Sequence, residues 1–108
     1  MTGANFLERC YAALRKVPKG KITTYADLAR HLGSKGFRAV GNAMNRNPYA
    51  PQVPCHRVVR STGEIGGFAR GTKAKIKMLR NEGIEIEGAR VSNFKKYLFV
   101  FPRAKSPR

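Results

Sequence analysis

Apolar residues recur at helical spacing along the first half of the chain, and short β-branched or alternating runs take over in the second. Phe6, Leu7, Cys10, Tyr11, Leu14 and Val17 share one face of a predicted helix. Asn5 is a suitable N-cap for it, with Glu8 completing a capping-box-like pair, and Pro18 with Gly20 ends it. Lys19-Gly20-Lys21 reads as a turn. Thr24, with Asp27 at the third position, caps a second helix whose inner face is Tyr25, Leu28, Ala29 and Leu32; Gly33 stops it. A third short helix carries Phe37, Val40 and Met44 and ends before Pro48. Its small residues Ala39, Gly41 and Ala43 would let the backbone come close to a neighbour. Two short helices joined by a glycine-containing turn read as helix-turn-helix. Arg38 and Arg46 lie on the second.

Val58-Val59 reads as a short buried strand and Ser61-Thr62-Gly63 as a turn. The glycine-rich stretch from Ile65 to Gly71 fits neither a dinucleotide-binding nor a P-loop spacing, which excludes a nucleotide cofactor. Thr72 is expected to cap a last helix containing Ile76 and Leu79, closed by Asn81-Glu82-Gly83. Ile84-Glu85-Ile86-Glu87 alternates with period two, and Tyr97 to Phe101 is a strong strand candidate. Paired as a hairpin beside the helices, they predict a mainly α protein with a small β hairpin (α+β), in a winged-helix-like plan. Residues 1–101 form one expected domain, and residues 102–108 a basic tail.

Charge narrows the partners. The 108 residues hold 22 Lys and Arg against 6 Asp and Glu, a formal charge of +16. Neither Leu28–Gly63 nor Gly88–Arg108 contains an acid. Such self-repulsion opposes a compact state unless a polyanion offsets it, which points to nucleic acid. A membrane partner is not expected, since there is no 18-residue apolar run and no basic amphipathic helix with bulky anchors. No secretory signal is visible, and two cysteines without a framework suit a reducing compartment, so the expected location is intracellular: cytoplasmic, associated with the nucleoid, or nuclear. Cys10, His31, Cys55 and His56 show no paired metal-ligand spacing, so no metal is expected.

The stretch from Asn47 to Val59 concentrates the candidate chemistry. Pro48, Pro51 and Pro54 stiffen the approach to Cys55 and rule out a helix or a central strand. Arg57 can favour a thiolate, and His56 can take a proton directly or through water. The same cysteine would also serve as a small buried hydrophobe, as Cys10 does on its apolar stripe.

Pro54-Cys55-His56-Arg57-Val58-Val59, with Arg38-Ala39-Val40-Gly41, Asn47-Pro48, Gly20-Lys21-Ile22-Thr23-Thr24-Tyr25 and Glu82-Gly83, resembles the O6-alkylguanine-DNA alkyltransferase family from about Phe6 to Gly83. The resemblance implies direct repair of double-stranded DNA containing O6-alkylguanine. The alkylated base is flipped from the minor-groove side and its alkyl group moves irreversibly to Cys55, once per molecule and without a cofactor. It implies that His56 acts as base through a bridging water, that Glu82 orients His56, and that Asn47 braces the cysteine turn, with Arg57 as a structural tie. Arg38 resembles the finger that fills the void left by the base, and Tyr25 the residue that crowds the neighbouring phosphate and protonates the base ring. Ser61 matches a phosphate contact, and Gly41 and Ala43 suit a helix lying in a narrow groove. Tyr25, Phe68 and the backbones of Val58 and Ala69 would line the base pocket. The implied assembly is a monomer, with cooperative binding along DNA as an extension.

There are departures from the family. A separate N-terminal domain present in longer members is absent, Phe68 stands where tyrosine is frequent, and Ala69-Arg70 replaces a small hydroxyl residue and glycine. The short length also resembles the alkyltransferase-like proteins, which bind such lesions, carry tryptophan or alanine at the cysteine position, and recruit other repair machinery. A sequence-reading winged-helix regulator leaves Cys55 and Glu82 without a role. A cysteine hydrolase lacks an oxyanion-hole signature.

Overall fold

The computed structural model describes residues 6–33, 40–41, 53–68 and 71–101, and they form a mainly helical domain with short strands. Helix α1, Phe6–Leu14, buries Cys10, Tyr11, Ala13 and Leu14. Its apolar stripe runs on to Val17 because tighter i→i−3 bonds, Lys16 N–H to Ala13 O and Val17 N–H to Leu14 O at 3.0 Å each, continue the last turn. Helix α2, Tyr25–His31, begins as the sequence predicts: Thr24 Oγ1 accepts the Asp27 N–H at 2.9 Å. Gly33, at φ +73°, follows its last turn. Arg9 donates to Leu32 O at 2.6 Å and ties the end of α2 to α1.

Strand β1, Thr23–Thr24, was not expected. It pairs in parallel with β2, Val58–Val59, Thr23 opposite Val58 and Thr24 opposite Val59. Successive side chains of a strand face opposite ways, and β2 accordingly feeds two cores. Val58 joins Cys10, Leu14, Val17, Leu28 and Cys55, while Val59 joins Ile22, Ile65, Leu79, Ile84 and Tyr97. The cysteine turn therefore sits where the two cores meet.

Helix α3, Thr72–Asn81, has Gly71 rather than Thr72 at its cap. The turn closed by the Gly71 N–H to Phe68 O bond, 2.9 Å, holds residue 71 at φ +101°, a conformation that excludes threonine, so Thr72 becomes the first helical residue. The predicted hairpin exists with a different partner. Strand β3, Ile86–Glu87, pairs antiparallel with β4, Arg90–Val91, through a Gly88-Ala89 connection with Gly88 at φ +61°. Asn93, left-handed at φ +54°, then sends the chain into the short helix α4, Phe94–Tyr97. Beyond this helix Leu98 bridges Ile22 in parallel and Phe99 N–H donates to Ile22 O at 2.7 Å. The strand expected at Tyr97–Phe101 gives way to this helix and edge.

Of the expected third helix only Val40 and Gly41 are described, both helical. Asn5, Phe37, Met44 and the basic tail lie outside the described residues. No described helix is long and apolar enough to cross a membrane.

Candidate functional site

Cys55, His56 and Arg57 occupy one 3₁₀ turn between Pro54 and β2. Pro54 lacks an N–H and fixes its own φ, here −81°, so the chain enters the turn in one way. The Cys55 N–H to Val53 O bond, 2.8 Å, and the Arg57 N–H to Pro54 O bond, 3.0 Å, close it. Cys55 is 7% exposed and reduced, and His56 is 3% exposed.

Glu82, just past the end of α3, gathers the turn's polar side chains. Its Oε2 accepts from His56 Nε2 at 2.8 Å and from Arg57 Nη2 at 2.7 Å; its Oε1 accepts from Arg57 Nε at 2.9 Å. Arg57 also donates through Nη1 to Val17 O, 2.8 Å away. Burial pushes the Glu82 carboxyl up, yet the Arg57 and His56 hydrogen bonds outweigh it and hold the group below the ordinary carboxylate value. His56 is shifted the other way from what its carboxylate neighbour favours. Burial lowers it, Glu82 opposes the shift, and Arg57 and Lys75 reinforce it. The result is a neutral imidazole beside an ionised carboxylate. That carboxylate can only accept, so Nε2 carries the hydrogen and Nδ1 is left as an acceptor.

Tyr25 opens α2 half-buried, directly over the glycine loop: a Cβ built on Gly66 would lie 3.6 Å from the Tyr25 ring. Burial raises the Tyr25 hydroxyl above its ordinary value, with Arg60 opposing, so it stays protonated at neutral pH. Phe68 is half-buried on the first core. Between these rings lies a residue that the sequence reading passed over. Lys75 is wholly buried, its Nζ donating to Val58 O at 2.6 Å, Ile65 O at 2.7 Å and Gly67 O at 3.2 Å. The same nitrogen stands 5.8 Å from the Tyr25 ring centroid and 6.0 Å from that of Phe68. Burial takes its pKa down to about 8, an effect that Cys55 opposes and Arg60 assists. The available signal was its place on the inner stripe of α3, four residues before Leu79, but lysine is so seldom interior that periodicity alone assigns it to solvent.

Of the sequence-predicted residues, the structure brings Cys55, His56 and Glu82 into one constellation and sets Tyr25, Phe68 and Val58 around Lys75. Val58 is buried, its carbonyl already taken by that lysine. Ser61 is exposed in the turn after β2, and a Cβ built on Gly41 meets nothing described within 4 Å. Asn47, Arg38, Ala43 and Ala69 lie outside the described residues. Among the described residues, Cys10 is the other cysteine. It is fully buried, and its thiol is pushed up to about 11 by burial, against Arg9.

The model of the 6-O-methylguanine DNA methyltransferase DNA-binding domain matches residues 5–84, most of the chain, including the whole cysteine turn and Glu82. The chain belongs to this methyltransferase family. A bifunctional methyltransferase/endonuclease of Picrophilus torridus is 43% identical over 90 residues, which cover 82% of this chain and 30% of that protein. A methylated-DNA–protein-cysteine methyltransferase of Methanosarcina acetivorans is 43% identical over 82 residues, covering 75% of this chain and 53% of that one. The chain thus spans about half or less of the length of these methyltransferases. The crystal structure of S. pombe Atl1 in complex with damaged DNA containing O6-carboxymethylguanine superposes with a TM-score of 0.80 at 32% identity, covering 92% of this chain and 98% of that one. The fold is accordingly that of a methyltransferase-family DNA-binding domain.

Proposed function

We propose that this protein repairs DNA by taking the O6-alkyl group of an alkylguanine onto Cys55. The observation that carries the reading is the single carboxylate of Glu82, charged by Arg57 and hydrogen-bonded to His56 at 2.8 Å, in the turn that holds Cys55. It supplies nucleophile, base and orienting group together. The proton of the Cys55 thiol passes to His56 Nδ1 through a water. The sulfur then attacks the alkyl carbon, a C–S bond forms as the C–O6 bond breaks, and the base leaves as guanine after taking a proton at its ring, for which the Tyr25 hydroxyl is the donor. The thioether is stable and, among the described residues, no further nucleophile stands beside it, so each molecule acts once.

The target oxygen lies inside the base stack, and swinging the nucleotide out costs a few kcal/mol. Arg38 fills the vacated space, Ser61 holds a phosphate, and Gly41 and Ala43 keep the groove-facing helix slim. Asn47 braces the cysteine turn. The base enters between Tyr25 and Phe68, its edge facing the backbones of Val58 and Ala69. The reading needs no metal or cofactor and places a monomer on duplex DNA.

A second reading, a lesion-binding protein that does not transfer, is favoured by the near-complete coverage of Atl1. The presence of Cys55 favours transfer. The two part in one experiment: mass spectrometry after incubation with a duplex containing O6-methylguanine. Transfer adds one methyl mass to the peptide containing Cys55, whereas binding by gel shift with no added mass establishes the second reading. Cys55→Ala then removes transfer and retains lesion binding. Arg38→Ala slows repair in duplex far more than reaction with free O6-alkylguanine, and equal losses would refute its place in the stack.

A further inference from the structure

Helix α3 turns two different faces to its surroundings. Lys75 and Leu79 point inward: Lys75 Nζ reaches Val58 O, Ile65 O and Gly67 O, and Leu79 belongs to the second core. At 3.6 residues per turn, Lys73, Lys77 and Arg80 lie about 140–200° around the helix from Lys75, and all three are exposed. They form one stripe roughly 10 Å long that looks away from the glycine loop. Together with Ile76 and Asn81 they line a surface groove of about 360 Å³. The placement is unfavourable for the domain alone. Lys73 stands in the first turn, where the helix dipole disfavours a cation, and Lys77 repels it from four residues on. Helices α1 and α2 each carry an acid in the first turn, and Lys96 of α4 pairs with Glu85 at 3.7 Å, whereas α3 contains no acid. Among the described residues, no carboxylate pairs with the stripe. Arg80 is braced, one guanidinium nitrogen donating to Ile86 O at 2.9 Å.

We propose that the outer stripe of α3 is a second nucleic-acid surface, which holds the phosphates of a DNA segment other than the one presented to Cys55. Three cations over roughly 10 Å match about three phosphates of one strand, at about 3.4 Å of rise each. The segment is a separate one because α3 meets the pocket loop with its opposite side. A duplex with a base at Cys55 would have to fold back around this small domain to touch the stripe, and duplex DNA is stiff over roughly 150 bp. An anionic membrane fits less well, since the apolar residue beside the stripe, Ile76, is packed against the second core and leaves no bulky anchor. The protein thus grips two duplex segments at once, and neither grip depends on alkyl transfer.

The test uses the whole chain and unmodified DNA, so it stands whether or not the repair reading holds. Protein is loaded on an immobilised duplex long enough for several copies, so that weak stripes act together, and a fluorescent second duplex is added at low salt. The wild type captures the second duplex, and added salt releases it. In Lys73→Gln/Lys77→Gln/Arg80→Gln, capture falls by about tenfold or more, while affinity for a single short duplex stays within about twofold of wild type. Should that variant fail to fold, Lys73→Gln/Lys77→Gln, which breaks no hydrogen bond among the described residues, lowers capture in the same sense. No capture by the wild type overturns the proposal, as does equal capture by a folded variant. A loss of single-duplex affinity that matches the loss of capture also overturns it, because the stripe then belongs to the first DNA surface. Capture of phosphatidylserine vesicles in place of the second duplex makes the stripe a membrane contact and overturns it equally.

Discussion

Replacing Glu82 by glutamine changes one atom and removes the charge on which the site is built. Two consequences of different size follow. The Arg57 guanidinium is 14% exposed and its carboxylate partner 12%, so the pair is only thinly solvated. Removing one member of a buried pair costs about 3–5 kcal/mol, and a lost hydrogen bond to a charged group about 1.5–3. With the amide retaining one acceptor, and Arg57 keeping Val17 O, a loss of about 2 kcal/mol is expected, or roughly 8–16 °C in Tm for a domain of this size. The second consequence is chemical. An amide presents either an acceptor or a donor to His56 Nε2, so the tautomer that leaves Nδ1 free is no longer enforced. General-base assistance is worth about 10²–10⁴ in rate, and most of it should disappear. The assay is single-turnover transfer from methylated duplex at a temperature well below the variant's Tm, beside thermal unfolding followed by circular dichroism. A transfer rate within twofold of wild type, at full occupancy and in a folded variant, would refute the relay. An unchanged Tm would refute the Arg57 tie.

Other outcomes follow from single features. Thr23 Oγ1 is buried without a hydrogen-bond partner among the described residues, so Thr23→Val should raise stability by about 1 kcal/mol, and a fall in Tm would show that the hydroxyl is satisfied. Gly66 is left-handed at φ +78°, and a Cβ there would only touch Tyr25 and Arg60 side-chain atoms at 3.6 Å; Gly66→Ala should therefore cost about 1–2 kcal/mol through backbone strain alone, and an unchanged Tm would refute the strain. Stability should also decline on acidification. The folded values of His56 and Glu82 lie below their ordinary 6.5 and 4.5, so the unfolded chain binds more protons in each window. Their contribution is fully present above pH 6.5 and is lost as pH falls through the lowered values. Tm measured from pH 7 to pH 4 checks this, and His56→Asn should flatten the upper part of the decline.

The capped start of α2, the β2 dipeptide and the Glu82-Gly83 closure of α3 were legible because each is set by a local rule: a hydroxyl three residues from an N–H, a β-branched pair, a glycine after the last apolar position. The hairpin partner was misread because Tyr97–Phe101 is the stronger β former by composition, while the deciding feature is Gly88 in a left-handed turn, which pairs β3 with the plainer Arg90–Val91. Strand β1 exists only through its parallel register with β2, a long-range fact that no window around Thr23 contains. The site was legible through the motif that resembles a known family, which placed Cys55, His56 and Glu82 together. Lys75 escaped because its interior position depends on three carbonyls from two distant segments, and its side chain argues locally for the surface.

The guanidinium of Arg57 has a bearing on how the molecule comes into being. It joins Val17, 40 positions earlier, to Glu82, 25 positions later. Contacts so distant along the chain form late, since loop closure must precede them. A nascent chain that has not yet emerged as far as residue 82 carries the cysteine without its carboxylate. Until residue 82 is in place His56 lacks the acceptor that fixes its tautomer, so the complete relay belongs to the finished domain alone.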